Sequence, residues 1–435
     1  MRRWGKVGCE GKLLSLAVAA GVTAAAWAVS ALDADDVGAM ARARAMIDAA
    51  RPAVCPGSLA DAPALAKRLG YMNAGGPDRL GWVTLSDPER GRLMLALRKR
   101  GERLDGYELQ AEVPVAGALR PVMMARLAAD CSQVLARVID YGQDGRAKAL
   151  ADLGKDLQVA GPWQPLDPPV PPGNDPGGVR VGHIDSGVNY LLAGVSSRLA
   201  RKADGAALGF DFWDEDPRPF DLSPTGSPFF PLHHGTAVAS ILLAEAPKAS
   251  LIPYRYPRPD MSRMAAVVDA AAEAGAAIVM MPLGSNRRED WQAFAEAAAR
   301  QPDLLFVVSA GNDGRDIDAR PVYPAALDLA NMIVVTSADD FGRLAAGSNW
   351  GVNNVDVMVP GEGIEVTDHR GATGKASGSS FAVPRLAALA ARLKARHPDW
   401  QAPELIQAIR KRAAPPMMRG GQVVRFGWIA NPLDD

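Results

Sequence analysis

The sequence predicts an α/β fold in which a parallel sheet carries helices on both faces, preceded by a smaller, mainly α-helical domain. Two observations lead to this prediction. From residue 179 onward, short β-branched apolar runs alternate with longer runs of helical periodicity, as in strand–helix–strand units. Before residue 161, the sequence is rich in alanine, leucine and arginine, and its apolar residues recur at helical spacing.

The bulk composition fits a protein of two domains and excludes some classes of partner. The chain has 435 residues, of which 48% are hydrophobic and 22% charged, so a large packed core is expected. Its formal net charge of -1 argues against binding to nucleic acid or to an anionic membrane through bulk charge. We therefore expect no nucleic-acid partner.

Residues 1–31 have the layout of a secretory signal peptide. Basic residues precede an uncharged, alanine-rich run at 13–32, and residues 29–31 provide a small-residue cleavage site. The run is also long enough to span a bilayer, so an uncleaved N-terminal membrane anchor is the alternative. Both alternatives export the rest of the chain, to the periplasm or the extracellular medium.

The three cysteines bear on whether the chain is exported. Cys9 precedes the apolar run and would be lost on cleavage, which leaves Cys55 and Cys131. In an oxidising compartment these two are able to form a disulfide. Two free, buried cysteines are an equally good interpretation.

The N-terminal region, residues 32–160, shows no recognisable chemistry. Helices are predicted at 37–50, 59–69, 90–100 and 120–140, separated by glycine and proline turns. The region contains no metal-ligand spacing and no nucleotide-binding loop. Its proline-rich continuation at 161–178 predicts a semi-rigid linker and a domain boundary.

Residues 179–435 are expected to form the parallel sheet. The predicted strands are 179–184, 251–254, 277–281 and 304–309, and the predicted helices are 237–244, 264–274 and 291–300. No GxGxxG sequence follows the first strand, so a dinucleotide site has no support. In sheets of this kind, ligands bind at the carboxyl ends of the strands.

Three residues with complementary chemistry fall at strand ends or helix starts. Asp185 closes the first strand in HIDSG (183–187), His234 begins a helix in HHGTAVA (233–239), and Ser380 begins another in GSSFAVP (378–384). Each residue alone is explained by a turn, an exposed histidine or a helix cap. Together they supply the nucleophile, the base and the orienting carboxylate that acyl transfer requires.

These motifs, in the chain order Asp, His, Ser, resemble those of the subtilisin-like serine proteases, the subtilase family. The resemblance covers residues 179–428 and implies a serine endopeptidase that forms an acyl-enzyme. In that mechanism Ser380 is the nucleophile, His234 the general base and then acid, and Asp185 the orienting group. Asn312, in SAGNDG (309–314), would form the oxyanion hole with the Ser380 N–H.

The resemblance also implies how a peptide substrate would bind. Hydrogen bonds from the backbones of Leu283 and Gly284, and of Ala310 and Gly311, would hold the peptide as an added strand. The sequence departs from the family pattern at three positions. Pro282 stands in place of serine before Leu283, and Ser379 and Phe381 stand in place of threonine and methionine beside the nucleophile.

No cofactor is required by this interpretation, and no metal ligand is assigned. Many subtilases bind calcium, and the acidic loop formed by Asp211, Asp214, Glu215 and Asp216 offers carboxylates. It lacks a defined ligand spacing, however, so a solvated acidic loop is the simpler interpretation.

Two other functions remain as alternatives. One is a catalytically silent, subtilase-like module that binds a peptide in the cleft. The other is a serine esterase, which the residue order and the missing GxSxG elbow disfavour. The N-terminal domain is also expected, from its position alone, to inhibit the enzyme or to assist its folding until the linker is cleaved.

Overall fold

The computed structural model describes residues 34–434, except 56, 58 and 416–420. The predicted signal or anchor at 1–31 lies outside the described residues. Two sheets with separate hydrophobic cores divide the described chain into an N-terminal domain, residues 34–165, and a C-terminal domain, residues 179–434. In the part of the chain that is described, no helix has the length and apolar character needed to cross a membrane.

The N-terminal domain is an antiparallel sheet of eight strands that follow one another in chain order. One face of the sheet is covered by the first helix, which packs on the fourth and fifth strands. The elements are α1 (Ala34–Val54), α2 (Ala62–Leu69), β1 (Asn73–Gly75), β2 (Trp82–Asp87), β3 (Gly91–Arg100), β4 (Arg103–Val115), β5 (Ala118–Ala128), β6 (Gln133–Tyr141), β7 (Ala147–Asp152) and β8 (Gln164–Pro165).

The structure corrects the prediction that this domain is mainly helical. The helices predicted at 37–50 and 59–69 are confirmed by α1 and α2, but those predicted at 90–100 and 120–140 are wrong, because β3, β5 and β6 occupy these residues. In β3, Leu93 and Leu95 are buried and their neighbours are not, which is the two-residue period of a strand. Leucine, alanine and arginine favour helices intrinsically, and packing in the sheet overrides that preference.

The two cysteines left open by the sequence form a disulfide. Cys55 follows α1, and Cys131 lies in the turn between β5 and β6, with 5.7 Å between their Cα atoms. The bond joins residues separated by 76 positions. It therefore attaches the covering helix to the sheet.

The proline-rich segment at 161–178 is held by contacts along its length. Leu166 is buried in the core of the N-terminal domain, and Asp167 pairs with Arg218 of the C-terminal domain at 2.7 Å. The hydroxyl of Tyr190 donates to the carbonyl of Pro168 at 2.5 Å. The segment thus runs along the C-terminal domain with both charged and polar attachments.

The C-terminal domain contains an eight-stranded parallel sheet in the order β10-β13-β9-β14-β15-β16-β17-β20. Its strands are β9 (Val179–Asp185), β10 (Phe210–Asp211), β13 (Ala249–Arg255), β14 (Ile278–Met281), β15 (Leu305–Ser309), β16 (Met332–Ala338), β17 (Val357–Pro360) and β20 (Gly427–Trp428). Two hairpins are formed by β11 (Ser223–Ser227) with β12 (Phe230–Leu232) and by β18 (Ile364–Thr367) with β19 (Thr373–Ala376). The helices are α3 (Ala193–Ser196), α4 (Gly235–Glu245), α5 (Met264–Glu273), α6 (Gln292–Ala299), α7 (Ser379–Arg396) and α8 (Ala402–Arg410), with short 3₁₀ turns at Met261–Arg263 and Arg288–Trp291.

Helices cover both faces of this sheet, as the near-continuous apolar strands predict. In β14, Ile278 and Met280 belong to the core formed with α4, α7 and α8, whereas Val279 and Met281 belong to the core formed with α5 and α6. All four side chains are fully buried. The predicted parallel sheet with helices on both faces is confirmed.

The sheet brings the predicted site residues to one edge. Strands β9, β14 and β15 are neighbours, and they end at Asp185, before Pro282 and before Ala310. Because the strands are parallel, their carboxyl ends meet at the same edge.

We expect loss of the disulfide to weaken the N-terminal domain. Replacing Cys55 and Cys131 with alanine should lower its free energy of unfolding by about 2–5 kcal/mol, since an unlinked chain gains conformational freedom when unfolded. Denaturant titration followed by circular dichroism measures this change. The unaltered protein should lose a similar amount after its disulfide is reduced, and an unchanged free energy of unfolding in the variant would contradict the prediction.

Candidate active site

Asp185 and His234 are in direct contact at the end of β9. The Nδ1 atom of His234 lies 2.8 Å from both carboxylate oxygens of Asp185. Asp185 is almost fully buried, and its Oδ1 also accepts from the N–H of Ser186 at 2.6 Å. The carboxylate thus fixes the ring through Nδ1 and leaves Nε2 as the nitrogen available for proton transfer.

Glycines allow the two motifs to interlock. A Cβ atom on Gly235, the first residue of α4, would lie 2.0 Å from the carbonyl oxygen of Gly187. Gly187 itself has φ of 93°, and a Cβ there would lie 2.4 Å from the carbonyl oxygen of Phe220. The start of α4 can therefore approach the loop after Asp185 only because both positions lack a side chain.

A second carboxylate, that of Asp221, holds these motifs together. It is fully buried and accepts hydrogen bonds from Ser186 Oγ at 2.6 Å, from the N–H of His234 at 3.1 Å and from the N–H of Thr236 at 3.0 Å. A carboxylate is favourable at the N-terminus of a helix, where backbone N–H groups lack partners. The sequence analysis missed Asp221, because it lies in a loop with no periodic or motif signal.

A second histidine contacts Asp185 from within β9. The side chain of His183 is fully buried, and its Nε2 lies 3.2 Å from Oδ2 of Asp185. Its Nδ1 has no hydrogen-bond partner in the described part of the chain. The sequence analysis included His183 in the strand motif without giving it a role, yet Asp185 lies between two imidazoles.

Burial and charge act in opposite directions on the pKa values of the pair. Burial alone would raise the pKa of Asp185, but the charge of His234 and the hydrogen bonds from His183 and His234 hold it well below its usual range. Burial alone would lower the pKa of His234, but the charge and hydrogen bond of Asp185 outweigh it and raise the pKa. Asp185 is therefore a stable anion that favours protonation of His234.

Two adjacent serines at the start of α7 have different environments. The hydroxyl of Ser379 is fully buried and lies 2.7 Å from Ser309 Oγ and 3.0 Å from Asn312 Oδ1. Ser380 is partly exposed, and its hydroxyl donates to the carbonyl of Pro282 at 3.3 Å rather than to His234. A contact between nucleophile and base often tightens only in the substrate complex.

The side chain of Asn312 is oriented by its neighbours. Its Oδ1 accepts from the N–H of Ser379 at 2.8 Å and from the Ser379 hydroxyl at 3.0 Å. With Oδ1 engaged, the Nδ2 group is directed away from Ser379 and can donate elsewhere. Asn312, the predicted oxyanion donor, is thus held on Ser379, the residue directly before Ser380.

The two segments predicted to bind the peptide backbone follow β14 and β15 at this edge of the sheet. Leu283 lines a pocket beside His234. A Cβ on Gly284 would lie 2.8 Å from the carbonyl of Tyr323, so glycine permits this close approach. The N–H groups of Ala310 and Gly311 donate to the Val335 carbonyl and to Ser309 Oγ within the fold, and the part of this segment in peptide binding stays a prediction.

The pocket beside His234 has a volume of about 210 Å³. Apolar side chains line it, namely Leu232, Met261 and Leu283, and the exposed Arg258 stands at its rim. A small, mostly apolar pocket next to the reactive groups is typical of a substrate side-chain site.

The acidic loop does not fit calcium. Calcium takes roughly six to eight oxygen ligands, but each carboxylate of the loop faces an arginine. It is also not the solvated loop of the simpler interpretation, because the charges form an ion-pair network. The pairs are Asp211 and Asp214 with Arg255, Glu215 with Arg263, and Asp216 with Arg146 and Arg218.

A cluster of Asp221, His233 and His369 also fails to form a good cation site. The two imidazoles are stacked 3.6 Å apart at 11°, so their in-plane lone pairs run parallel instead of converging. Both oxygens of Asp221 already accept hydrogen bonds from Ser186 and Thr236. His233 is exposed, and its Nδ1 lies 2.6 Å from the carbonyl oxygen of Asp221.

We predict that His183 lowers the pKa of His234 through Asp185. In His183→Leu the carboxylate loses a donor, so its charge favours the imidazolium more strongly and the pKa of His234 should rise further. His183→Gln keeps an N–H donor for Asp185, so it should bring the pKa of His234 back close to that of the unaltered protein. Nuclear magnetic resonance titration of the five histidines measures both values, and an equal pKa in the Leu and Gln variants would contradict the prediction.

The chain is similar to several known proteins over about half of its length. The chain is 30% identical over 230 residues to a thermophilic serine proteinase of Bacillus sp. (strain AK1), covering 50% of this chain and 52% of that protein. It is 29% identical over 227 residues to thermitase of Thermoactinomyces vulgaris, covering 49% and 74%. A crystal structure of a cold-adapted subtilisin-like serine proteinase aligns with a TM-score of 0.49 at 24% identity, covering 62% of this chain and 95% of that one.

The family assignment comes from the matched length. The chain spans about half the length of the first curated relatives that it matches. The sequence model described as the subtilase family matches residues 177–428, which is more than half of the chain. The chain therefore belongs to the subtilase family.

Proposed function

We propose that this protein is an exported serine endopeptidase that hydrolyses peptide bonds through an acyl-enzyme intermediate. The contact between Asp185 and His234, at the sheet edge to which β14 and β15 also point, is the observation that carries the proposal. Family membership supports it, since subtilases use this set of residues in this chain order.

Each residue has a separate role in the proposed reaction. Ser380 Oγ attacks the scissile carbonyl while His234 Nε2 takes its proton, and Asp185 stabilises the imidazolium that forms. His234 then returns the proton to the leaving amine. Water, deprotonated by the same ring, hydrolyses the acyl-enzyme and regenerates the serine.

The tetrahedral intermediate needs donors for its oxyanion. We assign this role to the Nδ2 group of Asn312 and the backbone N–H of Ser380, which stands in the first turn of α7. The substrate would lie along Leu283 and Gly284, with an apolar side chain in the pocket beside His234.

Export is supported by two independent features. The basic residues and apolar run at 13–32 predict either a cleaved signal or a membrane tether. The disulfide between Cys55 and Cys131 suits the periplasm or the extracellular medium, where disulfides persist. Cell fractionation with thiol alkylation would test both features, and reduced cytoplasmic protein would overturn this part of the proposal.

The first test distinguishes the two serines. A fluorophosphonate probe should label Ser380, and Ser380→Ala should abolish both labelling and casein cleavage. Ser379→Ala is the matched variant. It should keep labelling at Ser380 but react more slowly, because Asn312 loses one of its two hydrogen bonds to Ser379.

The other outcomes identify the alternatives. A folded protein that takes no label would support the silent peptide-binding module, consistent with a Ser380 hydroxyl that is turned to Pro282. Labelling with hydrolysis of esters but not of casein would support the esterase.

The oxyanion assignment predicts a specific kinetic change. Asn312→Leu should lower kcat by about a hundred- to a thousandfold with little change in KM, because the lost donor acts on charge that develops in the transition state. Steady-state kinetics on a peptide substrate measures both constants. A loss confined to KM would contradict the assignment.

A further inference from the structure

A hairpin just before the catalytic histidine joins the two domains. Strands β11 and β12 form this hairpin, and His233 and His234 follow it directly. Phe229, at its tip, is fully buried within the hydrophobic core of the N-terminal domain. A side chain of the C-terminal domain thus completes the core of the other domain.

Polar contacts hold the tip in the same place. Arg137 of β6 donates to the carbonyl of Phe229 at 2.7 Å. The guanidinium groups of Arg126 and Arg137 lie 4.1 Å and 5.0 Å from the centre of the Phe230 ring. Each arginine is oriented by a carboxylate of the neighbouring strand, Glu108 and Asp152 respectively.

The base of the hairpin is attached to the catalytic loops. Asp221, just before β11, accepts the N–H of His234, and the N–H of Leu222 donates to the carbonyl of Ser186 at 2.9 Å. Ser223 and Leu232, which pair across the base of the hairpin, both line the pocket beside His234. The tip is therefore fixed in one domain and the base in the active site of the other.

A second interdomain contact lies away from the hairpin. Arg146, in the β6–β7 turn, pairs with Asp216 at 2.6 Å and donates to the carbonyl of Asp214 at 2.8 Å. All residues that line the pocket beside His234 fall between Asp185 and Leu283. Among the residues that the structure describes, the N-terminal domain is thus docked through the hairpin and through Arg146, and it contributes no lining residue to that pocket.

We infer that the N-terminal domain is a permanent part of the active enzyme, in which Phe229 acts as a positioning residue for His234. The inference rests on the proposed function. It replaces the expectation of an inhibitory segment that must be removed, because removal would expose Phe229 and release the hairpin that sets the start of α4. Catalysis is sensitive to such displacement, since an error of about 1 Å in a reacting group costs on the order of a hundredfold in rate.

The hairpin is tested with variants of its tip in the full-length protein. Phe229→Ala should lower kcat by about ten- to a hundredfold with a smaller change in KM, and Phe229→Leu should recover most of the loss. Phe341→Ala, at an exposed phenylalanine, is the matched control. An unchanged kcat in folded Phe229→Ala would overturn the inference.

Arg137→Gln provides a test that leaves the core intact. It removes the bond to the Phe229 carbonyl and one cation above Phe230, and should lower kcat by a smaller factor than Phe229→Ala. Arg92→Gln, which loses only its pairing with Glu112 within the same sheet, is the control. Equal kcat values for the Arg137 and Arg92 variants would count against the inference.

Cutting the linker separates this inference from the proposed function. A specific protease site placed at residues 174–177, which are exposed, allows the full chain to be cut after folding. The two parts should remain together on gel filtration and keep their activity, and separating them in mild denaturant should abolish it. A rise in activity on cutting or separation would identify an inhibitory domain and overturn the inference, whereas no labelling of Ser380 in any form would instead overturn the proposed function.

Discussion

The buried carboxylate of Asp221 is the constraint on which the active site depends. It accepts donors from the loop after Asp185 and from the first residues of α4, so it fixes the two motifs that form the catalytic contact. Burial alone would raise its pKa, but the imidazole of His369, 3.6 Å away, and the hydrogen bonds from Ser186 and Thr236 lower it. A buried carboxylate is stable only while its hydrogen-bond donors stay in place. Asp221 and the loops that donate to it therefore stabilise each other.

Asp221 also lies just before the hairpin of β11 and β12, which contacts the N-terminal domain. From Asp221 the chain runs out through β11 to Phe229, in the N-terminal core, and returns through β12 to His234. Arginines supply much of the remaining attachment, at the hairpin tip and in the acidic loop around Asp216. Arg146 connects the domains by pairing with the carboxylate of Asp216, whereas Arg137 does so through the carbonyl of Phe229 and the ring of Phe230.

Departures from the family pattern are accommodated by local geometry. Ser379 keeps a hydroxyl that orients Asn312, so the exchange of threonine for serine preserves this contact. Pro282 offers no N–H, yet its carbonyl accepts the hydroxyl of Ser380. Beside these departures, the imidazole of His183 places a further hydrogen-bond donor on Asp185.

The sequence by itself determined the parallel sheet and the edge at which Asp185, His234, Asn312 and Ser380 lie. Strand and helix periods are local properties, and parallel strands must end on one side. The tertiary structure alone decided the sheet of the N-terminal domain. Its leucine- and arginine-rich segments have a composition that predicts helices, and only pairing with neighbouring strands makes them strands. It also decided the roles of Asp221, His183 and Phe229, because each acts through contacts with residues that are distant in sequence or that have no recognisable pattern. Such contacts exist only once the chain has folded.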